Sequence, residues 1–69
     1  MKLENNLKRC RFERGDMTQE ALAQAIGVTR QTIISIEKSR FIPSTLLALK
    51  LAAFFNMPVE EIFYLVEDE

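Results

Sequence analysis

Apolar residues along this chain recur at intervals of three and four, and a few short polar breaks interrupt them. That rhythm predicts helices rather than strands. Leu3, Leu7 and Cys10 stand at i, i+4 and i+7, so a first helix is expected from Leu3 to Arg14, ending at Gly15-Asp16. A second begins after Thr18, whose hydroxyl can accept an orphan backbone N–H. Met17 and Leu22 flank that start as a hydrophobic staple. The helix closes at Gly27, a residue suited to the left-handed stop. A third begins after Thr29, with Val28 and Ile33 as its staple, and runs to about Lys38. The fourth is capped by Ser44 and extends to Phe55 on a stripe of Leu47, Leu51 and Phe55, with Asn56 as its stop. Pro58 suits the entry of a short fifth helix, from Val59 to about Tyr64. Residues 65–69 are expected as an extended or frayed acidic tail. No useful length of chain alternates with period two, so the expected fold class is all-α: five helices in one domain spanning residues 1–69.

The second and third helices are separated only by Gly27, Val28 and Thr29. Two short helices joined by such a glycine-containing turn form a helix-turn-helix. Ala23 must be small where the third helix crosses, and Ile33 and Ile36 share one face that packs beneath the second. At about 100° per residue, with Arg30 set at zero, Ile34 stands near 40°, Lys38 near 80°, Gln31 near 100° and Ser35 near 140°. Ile33 and Ile36 fall near 300° and 240° on the same count. One side is thus anchored, and the other offers a cation, an amide, a hydroxyl and an apolar chain. These groups read base edges in a major groove: Arg to guanine, Gln to adenine, Ser to either, apolar carbon to a thymine methyl. Taken singly, an exposed Arg or Gln is ordinary solvated surface; the whole arrangement carries the reading.

Charge sharpens this picture. The formal net charge is −1, which by itself disfavours a polyanionic partner. Residues 1–50, however, hold all nine Lys and Arg against five acids, while residues 51–69 hold five acids and no base. A phosphate backbone meets the local charge, not the average. At 69 residues, 48% of them hydrophobic, the chain is long enough for one small core. Such a domain buries only about 60% of its unfolded surface, so a second copy would add useful burial. The single cysteine, Cys10, excludes an internal disulfide and sits on an apolar stripe as a core residue. No signal-peptide core stands at the N-terminus and no apolar run is long enough to cross a bilayer, so a cytoplasmic protein without a membrane partner is expected.

The run Met17-Thr18-Gln19-Glu20-Ala21-Leu22-Ala23-Gln24-Ala25-Ile26-Gly27-Val28-Thr29-Arg30-Gln31-Thr32-Ile33-Ile34-Ser35-Ile36-Glu37 resembles the Cro/phage-repressor (xenobiotic-response-element) family of helix-turn-helix regulators. Pro43-Ser44, Leu47 to Ala52 and Phe55 to Phe63 continue the likeness, which covers nearly the whole chain. The resemblance is to short, stand-alone members, and implies a five-helix, lambda-repressor-like DNA-binding domain. It implies base contacts from Arg30, Gln31 and Ser35; Ile34 joins them as a base-contacting candidate on the helical count alone. It implies phosphate contacts from Gln19, Lys38 and Arg40, with Thr29 and Ser44 beside them. Arg11 and Glu37 match a structural ion pair; Glu37 lies in the last turn of its helix, where the dipole disfavours a carboxylate and a cation compensates. There are departures from the usual pattern: Asp16 lengthens the first loop, Ser39 replaces a frequent glycine, Leu46 and Ala53 are apolar where the family is often polar, and Ile34 is apolar where polar residues are usual.

The expected function is sequence-specific binding of double-stranded DNA by a homodimer to regulate transcription, in the manner of a repressor. The recognition helix, about residues 30–38, would lie in the major groove, its mate about 34 Å away. The dimer surface is expected on the aromatic C-terminal third, at Phe54, Met57, Phe63, Tyr64 and Val66. Phe54, Phe55, Ile62 and Phe63 could instead complete the monomer core. A second function class stays open, a DNA-binding antitoxin or protein-interaction adaptor, favoured by the acidic C-terminal end. An enzyme is not expected: there is no His, no second Cys and no glycine-rich phosphate loop, and the adjacent acids lack supporting metal ligands. No cofactor, metal or small-molecule ligand is expected.

Overall fold

A computed structural model describes residues 1–67. In chain order the elements are β1 (Lys2–Asn5), α1 (Leu7–Glu13), α2 (Gln19–Ile26), α3 (Arg30–Glu37), α4 (Thr45–Phe55), α5 (Val59–Ile62) and β2 (Phe63–Val66). All five helices form, but the fold is not purely α. β1 and β2 pair antiparallel, Lys2 opposite Val66 and Asn5 opposite Phe63, and so clasp the two ends of the chain together.

The strands correct both ends of the expected helical pattern. The first helix starts at Leu7, not Leu3, because Asn5 and Asn6 make better bonds outside a helix. The Asn5 side-chain oxygen accepts from the Leu7 amide at 3.1 Å, and its amide nitrogen donates to the Ile36 carbonyl at 2.8 Å. The Asn6 backbone amide donates to the Ile62 carbonyl at 2.8 Å. The fifth helix stops at Ile62, not Tyr64, and the aromatic and β-branched run Phe63–Val66 goes into the strand. Leu65 and Val66, expected in a tail, therefore belong to β2; Asp68 and Glu69 lie outside the described residues.

The ends of α2, α3 and α4 are well satisfied. Thr18, Thr29 and Ser44 cap α2, α3 and α4, each side chain accepting a backbone N–H three residues on. Gly27 and Asn56 close α2 and α4 in the left-handed region, at φ +87° and +54°. Ser39 does the same after α3, at φ +59°. Its amide donates to the Ile36 carbonyl and the Arg40 amide to the Ser35 carbonyl, both at 2.9 Å. These are the paired bonds of a Schellman stop, made here without glycine.

Leu7, Leu22, Ile33, Ile36, Leu51 and Ile62 are fully buried, one or two from each helix. Cys10, Ala23, Ile26, Leu47, Ala52, Phe55 and Phe63 complete the same core. No charged or polar residue is buried outright among those described. Burying an Ile or Leu side chain contributes about 1.5–3 kcal/mol, so the two isoleucines of α3 fasten it to the domain with roughly 3–6 kcal/mol.

Candidate nucleic-acid interface

The orientation of α3 follows from its two anchors. Ile33 is 0% and Ile36 1% exposed, and at helical spacing they hold one side of α3 inward. Arg30, Gln31 and Lys38 are left exposed, with Ile34 and Ser35 half-buried between them. The Gln31 amide nitrogen lies 3.5 Å from the Ser35 hydroxyl, one turn along the same face. Among the described residues, Arg30, Lys38 and Arg40 take part in no ion pair. Thr18, Gln19, Glu20 and Arg30 border one hollow, so the start of α2 and the start of α3 open on the same side.

A largely shielded ion pair ties these helices to α1. The Arg11 Nε donates to Glu37 Oε2 at 2.6 Å and its Nη2 to Glu37 Oε1 at 2.9 Å, while Nη1 donates to the Met17 carbonyl at 2.8 Å. The side chains are 12% and 8% exposed. Gln19 joins from α2, its amide nitrogen donating to Glu37 Oε1 at 3.2 Å. One carboxylate thus ties the end of α3 to α1 and to the start of α2. Gln19 is consequently not a purely outward residue: one donor hydrogen is committed to Glu37 and the other remains. Thr29 and Ser44 spend a hydroxyl lone pair on capping and remain exposed.

The C-terminal residues divide. Phe63, placed by sequence on a dimer surface, is 8% exposed and closes the chain's own core, where the β1–β2 clasp brings it. Phe54 is half-buried under Arg14, whose guanidinium lies 4.4 Å from the ring centroid. Met57 is half-buried beside Cys10, Val66 half-buried and Tyr64 exposed. Burial raises the Cys10 thiol above its ordinary pKa, and Glu13 adds to the shift.

Sequence reasoning missed Phe41. It stands 47% exposed in the loop after α3, bordering a shallow hollow with Thr29, Gln31, Thr32 and Ser35. No local pattern marks it, because its position depends on the reversal at Ser39. No group of three or more metal-ligating residues occurs among those described, and no helix is long and apolar enough to cross a membrane.

A helix-turn-helix family model matches residues 7–62. An uncharacterized HTH-type transcriptional regulator of Methanocaldococcus jannaschii is 52% identical over 54 residues, 78% of this chain and 82% of its own length. The uncharacterized HTH-type transcriptional regulator YgzD of Bacillus subtilis is 44% identical over 66 residues, 96% of this chain and 98% of its own. Among solved structures, the restriction-modification controller protein C.AhdI from Aeromonas hydrophila superposes with a TM-score of 0.71 at 29% identity, over 80% of this chain and 78% of that one. With α2 and α3 packed across their glycine turn and α3 presenting a polar outer face, the chain belongs to the Cro/C1-type helix-turn-helix family of DNA-binding transcriptional regulators.

Proposed function

We propose that this protein binds specific sequences in double-stranded DNA as a homodimer, with α3 in the major groove, and so regulates transcription. The observation that carries the reading is the outer face of α3, where Arg30, Gln31, Ile34 and Ser35 stand opposite two buried isoleucines. Arg30 presents a planar fork matched to the O6 and N7 acceptors of guanine, and Gln31 an amide matched to adenine. Lys38 and Arg40 at the end of the helix, with Gln19, Thr29 and Ser44 around it, supply the phosphate contacts that fix register without reading sequence. No bond is made or broken; the protein acts by occupancy.

Small size and the apolar side chains left at the surface support the dimer. Met57, Tyr64 and Val66 remain as partner residues, Met57 and Tyr64 bordering one hollow beside α1, whereas the exposed Leu65 and Ile42 border a separate one with Lys2 and Lys38. A two-fold pair would present two copies of α3 to successive major grooves about 34 Å apart.

Selection of bound sequences from random duplexes tests the reading, and a two-fold symmetric consensus is expected. Arg30→Ala should cost about 1–3 kcal/mol on that consensus and relax one base pair. Lys38→Ala should weaken all sequences alike and lower the salt slope by about one. If both variants bind consensus and random DNA as the parent does, α3 is not the reader. Sedimentation of a Tyr64→Lys variant, expected to be monomeric, tests the partner surface.

A further inference from the structure

From the position of Phe41 we infer that it is an additional specificity residue, reading a thymine methyl group at the edge of each half-site. The inference rests on the proposed docking of α3 in the major groove. The chain reverses at Ser39, and the amides of Ser39 and Arg40 bond back to the Ile36 and Ser35 carbonyls at 2.9 Å. This turn carries Phe41 back along α3 instead of away from it, and places it in the hollow bordered by Thr29, Gln31, Thr32 and Ser35. Two residues later Pro43 holds Ile42 toward an extended conformation, so the loop is stiff on both sides of the ring.

The chemistry of the ring selects its contact. On the helical count, Gln31 and Ser35 mark one border of the outward arc of α3, with Arg30 at the other. Phe41 stands at the Gln31–Ser35 border, in a hollow that extends to Thr29, Gln31 and Thr32 at the start of the helix, the end that reaches base edges in such docking. A neutral ring offers a phosphate no charge and a base no hydrogen bond. In the major groove the group that rewards an apolar neighbour is the C5-methyl of thymine, and phenylalanine is one of the side chains that meets it. Phe41 is 47% exposed, which leaves a ring edge free to make that contact. It therefore adds an apolar letter beside the polar ones read by Gln31 and Ser35.

The test uses the full chain. Sequences are selected from random duplexes with the parent and with Phe41→Ala, and fluorescence anisotropy then follows binding to the parent consensus with each thymine replaced in turn by deoxyuridine, which lacks only the methyl. One thymine per half-site is expected to lose about fourfold in parent affinity on replacement, the value of one buried methyl-sized group. Phe41→Ala should lose the preference for thymine there, bind the thymine and uracil sites equally, and keep the rest of the consensus. Phe41→Leu, which keeps an apolar side chain, serves if the alanine variant does not fold, and should retain a reduced methyl effect. A parent indifferent to every methyl, or a consensus and methyl penalty unchanged by Phe41→Ala, overturns this inference alone. A parent that selects no consensus overturns the DNA reading and this inference with it.

Discussion

Replacing Glu37 by alanine should bring the domain close to unfolding. The carboxylate is 8% exposed and receives two bonds from Arg11, itself 12% exposed, and one from Gln19. Removing it strands a guanidinium in a poorly solvated position, with only the Met17 carbonyl still in reach. Breaking one side of a buried pair costs about 3–5 kcal/mol. A domain of this length is stable by roughly 3.5–10 kcal/mol, at 0.05–0.15 per residue. The loss is therefore a large share of the total, and for a domain of this size corresponds to a fall in Tm of about 12–40 °C. Urea unfolding followed by circular dichroism measures it. Arg9 and Glu13 provide the internal control: their ion pair is 3.2 Å long but 74% and 60% exposed, and Glu13→Ala should cost only about 0.3–0.5 kcal/mol. The combined change Arg11→Met with Glu37→Leu removes both charges at once, and should recover most of what Glu37→Ala loses. If Glu37→Ala stays within about 1 kcal/mol of the parent, the pair is no more than a surface contact, and the orientation of α3 must be set by its isoleucines alone.

Three further outcomes are expected. Gly27→Ala should destabilise by about 1–2 kcal/mol in the same urea assay, because a Cβ is strained at φ +87° even though nothing lies within 4 Å of it; an unchanged midpoint would show that the turn can relax. The Ser39 hydroxyl, with help from Lys2 and against partial desolvation, holds the Glu4 carboxyl below the ordinary glutamate range. Because the folded value lies below the unfolded one, this contribution is complete above the unfolded pKa and is lost as pH falls through the folded one. An NMR titration of Glu4 should accordingly move up in Ser39→Ala, and an unmoved midpoint would remove Ser39 as the cause. Cys10, its thiol pKa raised by burial, should react with iodoacetamide at neutral pH only as fast as the domain opens; labelling at the rate of a free thiol would contradict its buried place.

The local pattern determined the centre of this protein. Caps at Thr18, Thr29 and Ser44, left-handed stops at Gly27 and Asn56, and the spacing of Ile33 and Ile36 each act within a few residues of themselves. The helix boundaries of α2, α3 and α4, and the outward set of Arg30, Gln31 and Ser35, could therefore be read directly from neighbouring positions. What the chain does at long range was not written locally. Leu3 and Leu7 fit a helical stripe, yet β1 exists because a strand some sixty positions away lies alongside it, and pairing energy that arrives from a distant segment leaves no local periodicity. The same clasp drew Phe63 into the core, and Arg14 covered Phe54 from forty positions away. Phe41 became part of the candidate interface only because serine accepted a left-handed conformation that usually belongs to glycine, a cost repaid by two carbonyl bonds at the end of α3. Short-range geometry made the helices; contacts between chain ends and across the α3–α4 loop decided which surfaces they leave open.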